Sequence, residues 1–560
     1  MDLANLSKDR GRLMYSLLIK NGKIIDGTGN PWLYADVAIQ GETIVRIGQI
    51  KGDPSGKTID AKNLVICPGF IDQHSHADLI FASEDQYRYL EGRIRQGITT
   101  EILGNCGISV TPVTHYSKGL MKAVTGWMAP RGNPWNWQTV ADYLSLLEEK
   151  GVPVNVGTLT GHGAVRAVAM GFRSGRPTQD ELELMKRNLS ETLEQGSFGM
   201  SLGLIYAPGM YADTKEIIEL AKVVRKYNGI VTSHVRGSSE TNLFAEKELI
   251  KIGEGSASRV HRSHNEALGR EHWDKIEKSL QMEEEARDRG IDIAYDMFPY
   301  TAAMTMMIAI YPPWALEGGF EGLMERLKHP ETRKQIEGDI EEMVPGWPTW
   351  KEGSWPHNLV KATGWENIYI GYIPGEKNKK YEGLNLRELG KRLGKSPYDA
   401  ISDLLVEERG AISQLIFGVS GDRETDGPLR QLISHRLGGF ATDAIDIGEG
   451  RPHPAAYGTY PRILGKYVRE EKLLSFEEAV RKMTSFPASR LNLKGRGLVR
   501  EGYFADLVIF DEARITDKAT YENPRQFPEG VEYVIVNGQI LFGRGRLHPI
   551  KAGKVLRGAV

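Results

Sequence analysis

Between residues 65 and 443 the chain alternates short apolar runs with helix-patterned stretches, and this alternation constrains its fold more than any other feature. The runs predict strands over 65–71, 98–103, 154–159, 198–202, 230–234, 258–264, 291–296 and 439–443. Helical periodicity intervenes, as in TQDELELMKRNLSETLEQ, TKEIIELAKVVRKY and HWDKIEKSLQMEEEARDRG. Eight strands alternating with helices read as an α/β chain closed into a (β/α)8 TIM barrel, here over 65–494. One connection is too long for a simple crossover. The stretch 301–438, rich in Trp, Pro, Gly and charge, predicts an inserted subdomain or lid before the last barrel strand.

Both ends read as β-structure. SLLIKNGKIIDG has apolar runs flanking Asn21-Gly22, and YVIVNGQILF has them flanking Asn537-Gly538. Asn-Gly is the strongest short hairpin signal, because both turn positions favour positive φ. Matching hairpins at opposite ends of a 560-residue chain predict one small β-sandwich domain built from 1–64 and 495–560.

Charge excludes several classes of partner. With 71 Lys+Arg against 73 Asp+Glu, the net charge of −2 leaves no electrostatic footprint for nucleic acid or an anionic membrane. The apolar stretch 13–19 is interrupted by Ser16 and followed by Lys20, so no secretory signal is expected. The longest apolar region, 304–316, contains Pro312 and Pro313 and falls short of the ~20 residues of a membrane span. Two cysteines, Cys67 and Cys106, exclude a disulfide framework and point to a reducing, cytoplasmic setting. A homo-oligomer is compatible with all of this.

The chemistry collects where the predicted strands end. The first empties into His74-Ser75-His76, and strand alternation points both imidazoles to one face. The second runs into Gly104-Asn105-Cys106-Gly107, whose glycines let backbone approach closely. Strands five and six end in His234 and His264, and strand eight in Asp443. A lone buried thiol is usually inert, and Cys67, inside LVICPGF, fits that description. Four histidines, one cysteine and one aspartate at successive strand ends, however, form a set of metal-ligand types at the face where such barrels carry their sites. Mixed N, S and O donors suit one or two divalent metals and favour zinc.

PGFIDQHSHADL resembles the amidohydrolase superfamily. With GITTEILGNCGIS, TLTGHGAVR, GLIYAPGMYA, TSHVR, YGTYPRILGKYVRE, GYFADLVIFD and ENPRQFPEGVEYVIVNG, most of the chain is similar to the N-acyl-D-amino-acid deacylase (D-aminoacylase) family. The resemblance implies a tightly held zinc on Cys106, His234 and His264, and a weaker second divalent site on His74, His76 and Asp443. Cys106 would stand where related cyclic-amide hydrolases use a carboxylated lysine from strand four, and 197–202 contains no lysine. The implied reaction is hydrolysis of a small-molecule linear amide by metal-activated water, with Asp443 carrying the proton from water to the leaving amine. His162, Tyr206, Tyr300 and Arg451 are the candidate substrate-binding residues, the first two as helpers at the oxyanion.

Two positions depart from the family pattern. Glu266 stands where the family has a lysine that holds the substrate carboxylate, and Ala455 replaces an arginine in His453-Pro454-Ala455. Both changes remove positive charge, and Glu266 adds negative charge, so the expected specificity is altered. Hydrolysis of a cyclic amide or imide is the neighbouring alternative. A non-catalytic scaffold is the alternative of another class, against which the six ligand-type residues weigh.

Overall fold

The computed structural model describes residues 15–52, 55–130, 132–133, 135–348 and 354–558. The first two positions of the apolar stretch 13–19 lie outside the described residues. Two arcs of parallel strands make the barrel. One holds Phe70–Asp72, Ile98–Leu103 and Asn155–Thr158; the other runs Thr160–Gly161, Gly199–Gly203, Ile230–His234, Arg259–Arg262, Ile293–Met297 and Gly438–Phe440. Backbone bonds join the arcs at both seams. Leu159 N donates to Leu103 O at 2.9 Å and Phe198 N to Thr158 O at 2.9 Å, while Asp443 N donates to His74 O at 3.1 Å. The three quoted helical patterns form Gln179–Glu194, Thr214–Lys226 and Lys275–Asp288. The first two start cleanly because Thr178 and Asp213 accept hydrogen bonds from Glu181 N and Glu216 N.

The expected strand 65–71 is two strands. Val65–Pro68 pairs with Leu17–Ile24 and Leu507–Phe510 in the terminal sheet, whereas Phe70–Asp72 pairs with Ile98–Leu103 in the barrel. Gly69 is the crossing point. A Cβ there would lie 2.1 Å from Thr99 Oγ1, so only glycine lets the chain pass between the two sheets. Cys67, on the terminal-sheet side, is fully buried, and burial pushes its thiol far up, as core packing requires.

Nine strands from the two ends of the chain form one continuous sheet, including Leu17–Ile24, Leu33–Gln40, Thr43–Gly48, Leu507–Phe510, Val531–Val536 and Gln539–Gly543. It rolls over its own core, so that Ile44 N meets Tyr503 O at 2.9 Å and Val37, Ile39 and Ile44 pack with Leu507 and Ile535. The two layers of the sandwich thus come from one path.

Only one of the two expected hairpins forms. Asn537 and Gly538, at φ 46 and 76, turn Val531–Val536 back onto Gln539–Gly543. Asn21 also has positive φ, but the strand Leu17–Ile24 runs straight through it, with a bulge against Leu33–Gln40. Asn21 N donates to Asp36 Oδ1 and Asn21 Nδ2 to Asp60 Oδ1, both at 2.9 Å, so two neighbouring strands hold the bulge open. Asn-Gly supplies left-handed backbone equally well to a turn and to a bulge.

After the seventh barrel strand the chain builds an antiparallel sheet of Ala302–Met306, Ser413–Phe417 and Ile368–Tyr372, covered by helices that include Gly319–Lys328, Pro330–Glu342 and Pro397–Glu407. Its core, with Ile310, Tyr311, Leu323, Ile336, Ile401 and Leu405, is continuous with Cys106, Ile108 and Tyr206 at the barrel mouth. Helix Gly427–Ser434, the last before the eighth strand, packs back on the barrel, where Tyr295 Oη donates to Leu432 O at 2.8 Å. Among the described residues no helix is long and apolar enough to cross a membrane.

Candidate metal centre

The six strand-end donors form two overlapping sets: His74, His76, Cys106 and Asp443 in one, and Cys106, His234 and His264 in the other. Within each set the ligand atoms all lie within 4.8 Å of one another, and Cys106 belongs to both. His74 Nε2 is 3.2 Å from Cys106 Sγ and 3.3 Å from Asp443 Oδ1. His76 Nε2 is 3.3 Å from the same carboxylate oxygen, and His264 Nε2 is 3.7 Å from Cys106 Sγ. All but Asp443 are buried.

Local backbone geometry aims these side chains. Cys106, His264 and Asp443 occupy left-handed backbone at φ 52, 34 and 44, a conformation that costs energy for residues with a Cβ and recurs at functional sites. Gly104 and Gly107 flank the cysteine at φ 73 and 69. A Cβ on Gly104 would stand 2.1 Å from Leu159 O, and one on Gly107 2.5 Å from Gly203 N. The Cys106 loop is thereby pressed against strands three and four, and Gly107 N donates to Ser201 Oγ at 3.0 Å.

The electrostatics are those of a site built for a cation. Burial opposes ionisation of the Cys106 thiol, yet the His74 charge and the neighbouring His234 and His264 rings bring it well below its ordinary value. Burial likewise disfavours charge on His74 and His76, but Cys106 and Asp443 win, with Asp296 added at His74; His76 is raised to about 9. His264 is raised to about 9 as Glu266 and Cys106 outweigh its burial. His234 goes the other way, lowered by burial and by the neighbouring charge on His264. With their ring nitrogens converging on one thiolate and one carboxylate, these residues fit a divalent ion with soft and borderline ligands.

Beneath the donors lie residues that sequence inspection missed. Asp296, at the end of strand seven, stands 3.3 Å from His74 Nδ1 and 3.1 Å from His261 Nε2, and accepts the His264 N–H at 2.7 Å. Burial would raise its carboxyl, but the His74 charge and the His261 hydrogen bond hold it far below the usual range. Arg93 Nη1 lies 3.2 Å from Asp72 and 3.0 Å from Glu101, and donates to Thr442 Oγ1 at 3.2 Å. This ties strands one, two and eight together directly under His74 and Asp443. The available signal was a carboxylate at a strand end, as in Tyr295-Asp296-Met297, but only packing shows which group it serves.

A cleft with about 620 Å³ of free space, counted out to the solvent at its mouth, opens over the donors, lined among others by Ile108, Trp127, Ile205, Tyr206, Glu266, Thr305 and His357. Tyr206 is the one candidate substrate residue in its wall; its ring centroid is 5.0 Å from that of His234, and its Oη is 2.8 Å from Thr305 Oγ1. The other three lie elsewhere. His162 Nε2 sits 2.9 Å from Glu216 Oε1 in a buried network with Arg166. Tyr300 lies beneath the guanidinium of Arg462, 4.9 Å from its ring centroid, and Arg451 is exposed and packs over Gly383. Among the described residues that line the cleft none is an arginine or lysine, whereas Glu266 and Asp443 contribute carboxylates. Glu266 Oε1 accepts from Ser238 Oγ at 3.1 Å, and Oε2 is 3.8 Å from His264 Nδ1.

Comparison with known proteins agrees with this geometry. The model of the amidohydrolase family matches residues 57–339 and 387–542. An N-acyl-D-glutamate deacylase from Alcaligenes xylosoxydans xylosoxydans is 31% identical over 526 residues, covering 94% of this chain and 93% of that protein. A D-aminoacylase from the same organism is 30% identical over 543 residues, covering 97% of each. The crystal structure of an N-acyl-D-glutamate deacylase from Bordetella bronchiseptica, complexed with zinc and a phosphonate inhibitor, superposes with a TM-score of 0.78 at 27% identity, covering 97% of this chain and 100% of that one.

Proposed function

Because the chain belongs to the amidohydrolase family, we propose that it hydrolyses a linear amide of a small molecule, an N-acylated amine, with zinc held by its strand-end donors. The observation that carries this reading is the convergence of two donor sets on one thiolate, Cys106, beneath a cleft. Cys106, His234 and His264 would hold the tighter ion, and His74, His76 and Asp443 a second, weaker one. When bound, zinc supplies a Lewis acid for the scissile carbonyl and brings the pKa of its water toward ~7.

The protein's own groups do the rest. Asp443 accepts the proton of the attacking water at a carboxylate oxygen and delivers it to the amine nitrogen as the C–N bond breaks. His76, 3.3 Å from that oxygen, orients it. Tyr206, fixed by Thr305, walls the cleft beside His234 and limits the approach of bulk water. Ala303, Met304, Thr305 and His357 also line the cleft, which supports reading 301–438 as a lid over the 65–494 barrel, beside the terminal unit 1–64 with 495–560.

The relatives' names specify N-acyl-D-amino acids, all of which carry a carboxylate. A cleft with Glu266 in its wall and no lysine or arginine among its described lining residues favours instead an amine portion that is neutral or positively charged. We place the enzyme in the cytoplasm, where its two buried, unpaired cysteines stay reduced. The test is a zinc-loaded enzyme screened on N-acyl D- and L-amino acids, their neutral amides and cyclic imides, with metal content measured after dialysis. Retained zinc with turnover of linear amides is expected. Exclusive turnover of rings, or no retained metal, overturns the reading.

A further inference from the structure

A second cavity lies beside the cleft, and the reaction outlined above makes no use of it. Its free space, counted out to the solvent at its open edge, is about 640 Å³, and its wall includes Leu120, Val124, Phe172, Met306, Leu316 and Phe320. Among its described lining residues Glu321 is the single charged one. Ile205 and Tyr206 line both spaces. Thr305, bonded to Tyr206 at 2.8 Å, lines the cleft, and its neighbour Met306 lines the chamber, so the two spaces meet beside the Tyr206–Thr305 pair.

Barrel order says which half of a substrate reaches this chamber. Asp443 follows strand eight, whereas Ile205 and Tyr206 follow strand four, Gly199–Gly203, on the opposite side of an eight-strand ring. A group that protonates the leaving amine keeps that amine on the strand-eight side. The acyl substituent, on the other side of the carbonyl carbon, is then directed toward strand four. We infer that the apolar chamber binds the acyl chain, so that the substrates are amides of medium- to long-chain fatty acids. This inference rests on the amide-hydrolase reading above.

Each methylene buried in such a wall is worth about a fourfold gain in binding. The experiment compares acetyl, hexanoyl and decanoyl amides of one neutral amine, glycinamide, on the zinc-loaded enzyme. The expected result is a kcat/KM at least thirtyfold higher for decanoyl than for acetyl. Gly119 lines the chamber, and a Cβ built on it meets nothing within 4 Å. Gly119→Trp should therefore fill the space, leave acetyl turnover unchanged and reduce the chain-length gain to under threefold. Ala123→Trp, at another lining position one turn along the same helix, His115–Thr125, serves if that variant does not fold. Binding of 2-dodecanone, a carbonyl compound that cannot be hydrolysed, is measured in parallel by calorimetry and should be lost in Gly119→Trp. Equal kcat/KM for acetyl and decanoyl amides, or a chain-length gain that survives both substitutions, overturns the chamber and leaves the amide reading intact. No turnover of any amide, with 2-dodecanone still bound in a Gly119-dependent way, overturns the amide reading and supports the chamber.

Discussion

Asp296 stands 3.3 Å from Nδ1 of His74, while the other nitrogen of that ring faces Cys106 and Asp443. A carboxylate behind a ligating imidazole sets its tautomer and raises its basicity, and losing such a partner costs roughly 10–100-fold in metal affinity. Asp296→Asn keeps the size and one acceptor but removes the charge. Zinc affinity, measured by competition with a chelator, is expected to fall by that factor. Affinity equal to the wild type would remove Asp296 from its positioning role.

Asp443 is the only one of the six donors that is not buried, and it faces both His74 and His76. Asp443→Asn is expected to retain the ion held by Cys106, His234 and His264 while turnover drops by about 10²–10⁴, the usual worth of a general acid–base group. Zinc stoichiometry and kcat are read on the same preparation. A near-wild-type kcat would sink the assignment.

Glu266 bears on substrate charge. Reversing it with Glu266→Lys should raise kcat/KM for N-acetyl-D-amino acids by at least ~10-fold, equivalent to about 1.4 kcal/mol, while lowering it for neutral or cationic amides. The change should appear mostly in KM, because the group lies beside the cleft wall and not on the reacting atoms. Unchanged selectivity would mean that the carboxylate serves only Ser238 and His264.

His453 sets a pH limit on stability. Its Nε2 donates to Ala302 O at 2.9 Å and its Nδ1 accepts the Ala455 N–H at 3.1 Å, so the buried ring is fully paired only when neutral. Burial lowers it to about 4, against 6.5 in the unfolded chain. Between those values the unfolded chain binds the extra proton, so stability is complete above about 6.5 and is lost as pH falls toward 4. Unfolding midpoints measured across that window should decline in the wild type and decline less in His453→Gln. Parallel curves would assign the acid sensitivity to other groups.

Much of this was legible in the chain itself. Short apolar runs and their terminal residues located the barrel strands 98–103 and 230–234 to the residue, and brought His74, His76, Cys106, His234, His264 and Asp443 together as one set of donors. That works because a parallel barrel strand is buried on both faces and must stop where its polar end meets the mouth.

Other features depended on contacts between distant segments. Asn21-Gly22 is a bulge and Asn537-Gly538 a turn because Asp36 and Asp60 wait beside the first. His162 turns to Glu216 and Arg451 packs over Gly383, whereas Tyr206 reaches the cleft, although nothing local distinguishes the three. Residue type and spacing determine which chemistry a strand end can offer, since both are local. Which carboxylate backs His74, and what lines the space beyond Tyr206, were decided only when packing brought separate strands and the insertion within a few ångströms of one another.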